Sequence, residues 1–170
     1  MTIKGNLYSN DAMLQLTMLS RLFKKLKTYR HLSRELRHTC PEAFYHLILA
    51  KFLIQFIPMR FFAKYLGIKN TQGSSIDTKM YEPIFQLIRQ SIRIVSHNLP
   101  WESKCLDQAM AAQWMLDHRS LPGTLYFGVK RSESLEKPYG AHAWVCCGDS
   151  PVIGSYPDVH YSVVGIYSLV

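Results

Sequence analysis

The chain has 170 residues, of which 48% are hydrophobic, and its formal net charge is +8. This length is enough to bury one substantial core, and the apolar content excludes a disordered chain. Four cysteines at irregular spacing, with no C-x-x-C pair, exclude a disulfide framework, and we recognise no signal peptide. We therefore expect one compact cytoplasmic domain with reduced thiols.

The charge is concentrated in the first part of the chain. Residues 1–72 hold 12 Lys/Arg against three Asp/Glu, whereas residues 73–170 hold eight against nine. Such a basic region suits an acidic peptide, an anionic membrane surface or nucleic acid, and it is also common on solvated helices. A nucleic-acid-binding module is disfavoured, because we find no aromatic stacking platform and no recognisable reading helix. We predict a basic helical region over 1–72 and a second region over 73–170.

Apolar residues recur at helical spacing through the first half. The pattern predicts a helix from about residue 10 to residue 29, a second from Pro41 to Pro58 and a short third that ends at Gly67. The second helix is the most apolar, but its uncharged runs are eight residues each, whereas a membrane span needs about 20. We expect it to be buried in the protein.

The pattern changes after the polar segment 70–79. A fourth helix is predicted up to Pro100 and a fifth over 103–119, followed by strands in "GTLYFGVKR", "GAHAWVCC", "SPVIGSY" and "YSVVGIYSLV". Helices followed by a small antiparallel sheet predict an α+β fold.

Cys105 lies at the start of the fifth predicted helix. With Ser103 as N-cap, its thiolate would be stabilised by free backbone N–H groups, by the helix dipole and by the neighbouring Lys104. Ala109 and Ala112 would let this helix pack closely on a sheet. The commoner role of a cysteine, that of a small buried residue, is the alternative.

A cysteine nucleophile needs a base, and His142 is the candidate among seven histidines. "AHAW" places it in a strand 37 residues after Cys105, and a helix-start cysteine followed by a strand histidine is the order of papain-like and transglutaminase-like enzymes. A turn centred on Asp149 would bring Asp158 diagonally to His142 on the same face, although a one-residue slip would bring Ser155 there instead. No pair of residues has metal-ligand spacing, and we predict no cofactor.

Several segments together resemble a known family. "LPWESKCLDQAMAAQWML", "GTLYFGVKR", "AHAWVCCGDSPVIG" and "YSVVGIYSL" are similar to the cysteine peptidases that process lasso-peptide precursors, a branch of the transglutaminase-like superfamily. The resemblance implies a helical region packed on a transglutaminase-like, papain-like core.

The resemblance also implies a site and a reaction. Cys105 would attack the leader–core junction, His142 would be the base and Asp158 would orient it. The backbone N–H of Cys105 would stabilise the oxyanion, with Trp101 or Gln108 as second donor. In members of the family with a clear triad, an Asp stands where this chain has Ser155.

The implied partners are the lasso precursor peptide, a separate leader-recognition protein and a separate ATP-dependent, asparagine-synthetase-like cyclase. A separate recognition protein is expected because the first 70 residues contain no strand triplet. Acyl transfer to an amine by the same site, as in a transglutaminase, is the alternative reaction.

Overall fold

The computed structural model describes residues 29, 31–71, 77–131, 139–155 and 160–169. The chain forms two compact units, Met1–Arg37 and His38–Val170. The boundary predicted after residue 72 falls within the second unit. The helix predicted over residues 10–29 lies outside the described residues except for its last position.

Helix α1 spans Arg34–Phe56. Its predicted start at Pro41 is wrong, because the helix begins seven residues earlier. The local cause is Ser33, whose Oγ accepts the backbone N–H of Leu36 at 3.3 Å, as an N-cap residue does.

Pro41 therefore lies inside α1. A proline inside a helix has no N–H to give to the carbonyl four residues earlier, which here belongs to Arg37. The hydroxyl of Tyr29 donates to that carbonyl oxygen instead, at 2.5 Å. An external donor thus replaces the missing helical hydrogen bond.

Helix α1 buries one face only. The expectation of a buried helix holds for that face alone, because Phe44, Phe52 and Phe56 expose 48%, 52% and 69% of their surface. Within the described ranges, no helix is both long enough and apolar enough to cross a membrane. The buried residues of α1 are Thr39, Cys40, Ala43, Leu47 and Ala50.

A short helical segment and a short strand follow α1. Helix α2 spans Met59–Phe62, continues as a 3-10 turn over Ala63–Leu66 and leads into strand β1, Ile68–Lys69. The predicted helix end at Gly67 is confirmed. This glycine has φ of 121°, and an added Cβ would lie 2.3 Å from the main-chain oxygen of Ser168. Strand β1 was not predicted, because two residues carry no periodic signal.

The two remaining helices lie close to where the sequence predicts them. A 3-10 turn over Thr78–Tyr81 precedes helix α3, Glu82–Asn98, and helix α4 spans Cys105–Asp117. Helix α3 stops before the Leu99–Pro100 step, as expected for a residue that precedes proline. Its buried residues are Phe85, Ile88, Ser91, Ile92 and Val95.

The sheet has five antiparallel strands in the order β1-β5-β2-β3-β4. The predicted α+β class is confirmed. Strand β4 ends at Ile153, earlier than expected, and β3 and β4 are joined by a two-residue turn, Gly148–Asp149, rather than by the predicted three. The other bounds are Gly123–Arg131 for β2, Tyr139–Cys147 for β3, Ser150–Ile153 for β4 and Ser162–Ser168 for β5.

The core forms where α4 packs against α3 and against strands β2, β3 and β4. Leu125 and Val145 of the sheet and Met110 of α4 are fully buried there. Ala109 and Ala112 are also fully buried, as their small size led us to expect.

Gln113 ties α4 to three separate parts of the backbone. Its Nε2 donates to the carbonyl oxygens of Leu66, Gly123 and Tyr167 at 2.9, 3.0 and 3.3 Å. The side chain is fully buried. This one amide therefore fixes the end of the 3-10 turn and two strands relative to α4.

Candidate active site

Cys105 is the first residue of α4. The prediction of Ser103 as N-cap is wrong, because Lys104 holds that position and the carboxylate of Asp107 accepts its backbone N–H at 3.0 Å. The Ser103 hydroxyl oxygen is buried and has no hydrogen-bond partner among the described residues. Asp107 therefore defines the helix start by reaching back from the first turn.

Cys105 lies where a negative charge on its sulfur would be stabilised, as its predicted role as a nucleophile requires. The side chain is partly exposed, and the first backbone N–H groups of a helix have no intrahelical acceptor. The positive end of the helix dipole is also there. Asp107, two residues on, is buried, and its charge is partly balanced by Lys51 of α1, whose Nζ lies 3.9 Å from Oδ2.

His142 lies in β3 and is held by the backbone of the next strand connection. Its Nε2 and the main-chain oxygen of Gly154 are 2.6 Å apart. A carbonyl oxygen only accepts, so Nε2 carries the proton of this bond and Nδ1 is the acceptor nitrogen of the neutral ring. Nδ1 is therefore the nitrogen that can serve as a base.

Three aromatic rings accompany His142, and we call them the aromatic cluster: Tyr126, Trp144 and Tyr161. The imidazole is nearly parallel to Trp144, with centroids 6.0 Å apart, and to Tyr161, with centroids 5.0 Å apart. Tyr126 stacks on Trp144 at 5.4 Å. Gly128, the strand partner of His142, makes room for them, because a Cβ there would lie 2.7 Å from both Trp144 and Tyr161.

Alternate residues of β3 face opposite sides of the sheet. One side faces α4, because a Cβ on Gly123, which pairs with Cys147, would lie 2.7 Å from Gln113 of that helix. His142 is an odd number of residues away from Cys147 along β3, so its side chain lies on the opposite side of the sheet, where it is partly exposed. The buried residues on the helix side of β3 are Ala143, Val145 and Cys147.

Cys105 and His142 belong to elements that pack against each other, since α4 lies on β3. Both side chains are partly exposed. Among the described residues, no hydrogen bond joins the Cys105 sulfur to the His142 ring. This packing does not by itself bring the two side chains together, because His142 lies on the side of β3 away from α4. A direct Cys–His contact stays a prediction.

The predicted acid, Asp158, lies outside the described residues. Asp149 is a turn residue, as expected. Ser155 follows directly on Gly154, whose carbonyl oxygen accepts from His142. The partner that sequence reasoning missed is therefore a main-chain atom, which no residue type could have signalled.

The two candidates for the second oxyanion donor differ in their contacts. Gln108 donates its Nε2 to the carbonyl oxygen of Ser103 at 3.0 Å, so its amide is engaged within the helix start. The indole Nε1 of Trp101 is buried and has no partner among the described residues. Trp101 thus keeps an unused donor four residues before Cys105.

The other cysteines are poor candidates for catalysis. Burial raises the pKa of Cys146 to about 11, with further contributions from the charges of Cys147 and Asp149. Burial also raises the pKa of Cys40 and that of Cys147. All three would be protonated thiols near neutral pH.

Two other histidines have structural roles. His118 contacts the carboxylate of Glu42 at 3.1 Å, and Arg119 binds the same carboxylate with both guanidinium nitrogens at 2.7 Å. His46 packs against Trp114, and burial lowers its pKa. Among the described residues, no three His, Cys, Asp or Glu side chains are grouped as metal ligands.

Comparison with models of protein families matches residues 56–165 to the transglutaminase-like superfamily. The match covers more than half of the 170 residues. The chain belongs to the transglutaminase-like superfamily. No curated protein and no solved structure gives a significant match.

Membership of the transglutaminase-like superfamily bears on the site. The matched segment contains α3, α4 and strands β2 to β4, and with them Cys105 and His142. Transglutaminase-like proteins are typically enzymes of the cysteine-protease type. A papain-like core with a cysteine at a helix start is therefore the fold to which this site belongs.

Proposed function

We propose that this transglutaminase-like protein is a cytoplasmic cysteine peptidase that removes the leader peptide from a lasso-peptide precursor. Cys105 is the nucleophile and His142 the general base. The observation that carries the proposal is the 2.6 Å bond from His142 Nε2 to Gly154, because it fixes the tautomer in which Nε2 is protonated and Nδ1 is the basic nitrogen. The segments around both residues resemble lasso-precursor peptidases, which supports a lasso-peptide precursor as the substrate.

The first half-reaction forms an acyl-enzyme. Nδ1 of His142 takes the proton of the Cys105 thiol, and the thiolate attacks the scissile carbonyl at the leader–core junction. The backbone N–H of Cys105 and the indole N–H of Trp101 donate to the oxyanion. The C–N bond then breaks, the imidazolium gives its proton to the leaving amine, and the leader remains as a thioester.

The second half-reaction is hydrolysis. His142 takes a proton from water, the hydroxide attacks the thioester carbonyl, and the C–S bond breaks. The thiolate recovers its proton from the imidazolium. The scheme requires the Cys105 sulfur and Nδ1 of His142 to come within hydrogen-bonding distance when the substrate binds.

The orientation of His142 distinguishes this site from the usual triad. The Gly154 carbonyl oxygen accepts the hydrogen bond of Nε2, as the carboxylate of a triad would, and so fixes the tautomer and the ring plane. Asp158 remains the proposed carboxylate, and Ser155 occupies the place where related enzymes have Asp. A carbonyl dipole stabilises imidazolium less than a carboxylate does, so the proposed Asp158 carboxylate would add to the stabilisation that the Gly154 carbonyl provides.

The partners follow from the proposed reaction. A separate recognition protein would deliver the leader, and an ATP-dependent cyclase would close the macrolactam on the freed amine. Nucleic acid is not an expected partner.

The decisive experiment combines the purified protein with a lasso precursor and its recognition protein and follows products by mass spectrometry. The wild type should release the intact leader, and Cys105→Ala should release none. Cys146→Ala is the matched control, since it removes a thiol that is protonated near neutral pH and should retain cleavage. Cleavage by Cys105→Ala would overturn the proposal.

Acyl transfer is the second candidate reaction, because a thioester can be resolved by an amine as well as by water. Adding a primary amine to the same assay separates the two. A leader that carries the amine at its new C-terminus indicates a transferase, and a leader with a free carboxylate indicates a peptidase.

A further inference from the structure

Exposed apolar side chains are concentrated in one stretch of the chain. The stretch extends from α1 through α2 to β1. The residues concerned are Phe44, Tyr45, Ile48, Phe52, Ile54, Phe56, Phe61, Tyr65 and Ile68, each at least 36% exposed.

On α1 this exposure follows a helical row. Phe44, Ile48, Phe52 and Phe56 recur at every fourth residue and expose 48%, 40%, 52% and 69% of their surface. Residues four apart are neighbours on a helix, and the rings of Phe52 and Phe56 are 5.0 Å apart. The row is separate from the buried face of α1 described above.

In α2 and the 3-10 turn that follows it, buried and exposed side chains again alternate, and positively charged side chains accompany the exposed rings. Phe62 is buried, whereas the adjacent Phe61 is 58% exposed and Tyr65 is 62% exposed. The guanidinium of Arg60 lies 4.8 Å from the Phe61 ring centre, and Nζ of Lys64 lies 5.0 Å from that of Tyr65. Each exposed ring of this segment therefore has a cation beside it.

The charge of the whole stretch has one sign. Between Glu42 and Asp77 the sequence contains no Asp or Glu, but it contains Arg60, Lys64 and Lys69, besides Lys51, which pairs with Asp107. A second copy of the chain would bring like charges together on this surface. A complementary partner must therefore be anionic and must also accept aromatic side chains.

We propose that this aromatic–cationic surface, formed by the exposed side chains of residues 44–69, binds the interface of an anionic membrane. Peripheral helices insert Phe and Leu side chains to the level of the acyl chains while Lys and Arg contact the headgroups. The centre of a protein-binding surface is depleted of Lys, although Arg is common there, and a polar rim surrounds it. Here the cations stand directly beside the exposed rings, which fits a headgroup layer better than a protein partner.

The inference is independent of the proposed peptidase function. It concerns α1, α2 and β1, and it needs neither Cys105 nor His142.

Cosedimentation with vesicles tests the proposal. The full-length protein should pellet with vesicles of phosphatidylcholine and phosphatidylglycerol in equal amounts and stay in solution with pure phosphatidylcholine. Removing two cations with Arg60→Gln/Lys64→Gln should weaken binding about 25-fold, at roughly fivefold for each charge. Removing two rings with Phe56→Ser/Phe61→Ser should weaken it by about tenfold or more.

Matched controls exist elsewhere on the surface. Lys79→Gln/Arg93→Gln removes two exposed cations, and Met80→Ser/Tyr139→Ser removes two side chains that are 70% and 69% exposed. Both controls should bind like the wild type, and thermal unfolding should show that all variants are folded. The proposal fails if the wild type does not pellet or if the ring variant pellets as well as its control. It also fails if the wild type is a dimer that the ring variant converts to monomer, since the surface would then be a contact between copies.

Discussion

His142 and Gly154 are linked by a hydrogen bond from the imidazole Nε2 to the main-chain oxygen, 2.6 Å long. Gly154 has φ of 77°, a conformation that other residues rarely adopt, and an added Cβ would lie 2.9 Å from the carbonyl oxygen of Ala143. The acceptor for the candidate base is thus held in place by a glycine. The orientation of His142 should depend on that glycine.

Gly154→Ala should slow leader cleavage by about tenfold or more, because relief of the clash moves the carbonyl away from Nε2. Gly140→Ala is the matched control in β3, since the nearest atom to its Cβ is the Lys130 oxygen at 4.0 Å. The measurement is kcat/KM of both variants beside their thermal stability. Equal kcat/KM for the two variants would show that the Gly154 carbonyl does not position His142.

Cys105 should be the cysteine that iodoacetamide modifies fastest at neutral pH. It is partly exposed at a helix start, whereas Cys146 has a pKa raised to about 11 by burial and by its neighbours. His142→Ala should slow the modification of Cys105 by about tenfold and leave that of Cys146 unchanged. Peptide mapping after timed labelling measures both rates, and an unchanged Cys105 rate in His142→Ala would exclude a Cys–His pair.

Gly128→Ala should disturb the aromatic cluster, because its Cβ would lie 2.7 Å from Trp144 and from Tyr161. Gly165→Ala on the neighbouring strand is the control, since its nearest contact, with Phe127, is an ordinary 3.7 Å. Near-ultraviolet circular dichroism should change in the first variant only, together with a loss of cleavage. Identical spectra of the two variants would show that a methyl group on residue 128 does not disturb the aromatic cluster.

Much of this fold follows from periodic patterns in the sequence. Strand β2 has the limits that alternation and turn residues predict, and α3 ends where Pro100 requires. The start of α1 was misjudged because Pro41 is a common first helical residue, whereas here Tyr29 replaces the hydrogen bond that the proline cannot make. Such a tertiary contact has no local signal.

The candidate site is less predictable than the fold. The residue types of Cys105 and His142, and their placement on a helix and a strand, identified them. The main-chain acceptor at Gly154 and the stacking of Tyr161 depend on how distant segments meet, which single-sequence patterns do not encode. The helix start is set by the Asp107 carboxylate, which accepts the N–H of Lys104, and not by the Ser103 hydroxyl, which would accept an N–H of the first turn. The sequence contains both acceptors and does not show which one is used.

Gln113→Leu should lower the free energy of unfolding by about 2–4 kcal/mol, because it removes the donor shared by three buried carbonyl oxygens. Gln86→Leu is the control on α3, where the side chain is exposed and makes one long hydrogen bond to Glu82. It should change the stability by less than about 0.5 kcal/mol. Urea unfolding of both variants measures the difference, and similar losses would assign no special role to Gln113.

Glu42→Gln should destabilise the protein by about 1–3 kcal/mol near pH 7, and the loss should vanish in acid. Burial alone would raise the pKa of Glu42, but hydrogen bonds from Arg119 and His118 and their charges lower it overall. A carboxylate whose pKa is lower in the folded state stabilises fully above its unfolded pKa, about 4.3, and loses this contribution as the pH falls through the folded value.

Denaturant unfolding of the wild type and of Glu42→Gln at several pH values tests this dependence. Glu82→Gln is the control, because its ion pair with Arg89 is 4.0 Å long and partly exposed, and it should cost less than about 1 kcal/mol at any pH. A stability difference for Glu42→Gln that stayed constant down to pH 3 would contradict the prediction.

Arg89 of α3 donates to the carbonyl oxygens of Pro151 and Val152, at 2.6 and 2.9 Å. Strand β4 is an outer strand of the sheet, and Pro151 has no N–H to offer. Two carbonyl oxygens and one N–H of this edge are therefore not fully available to a foreign strand. Extension of the sheet beside β4 is thereby hindered. An extended peptide would have to reach Cys105 without pairing to β4, and the same features protect β4 from the edge-to-edge association that leads to aggregation.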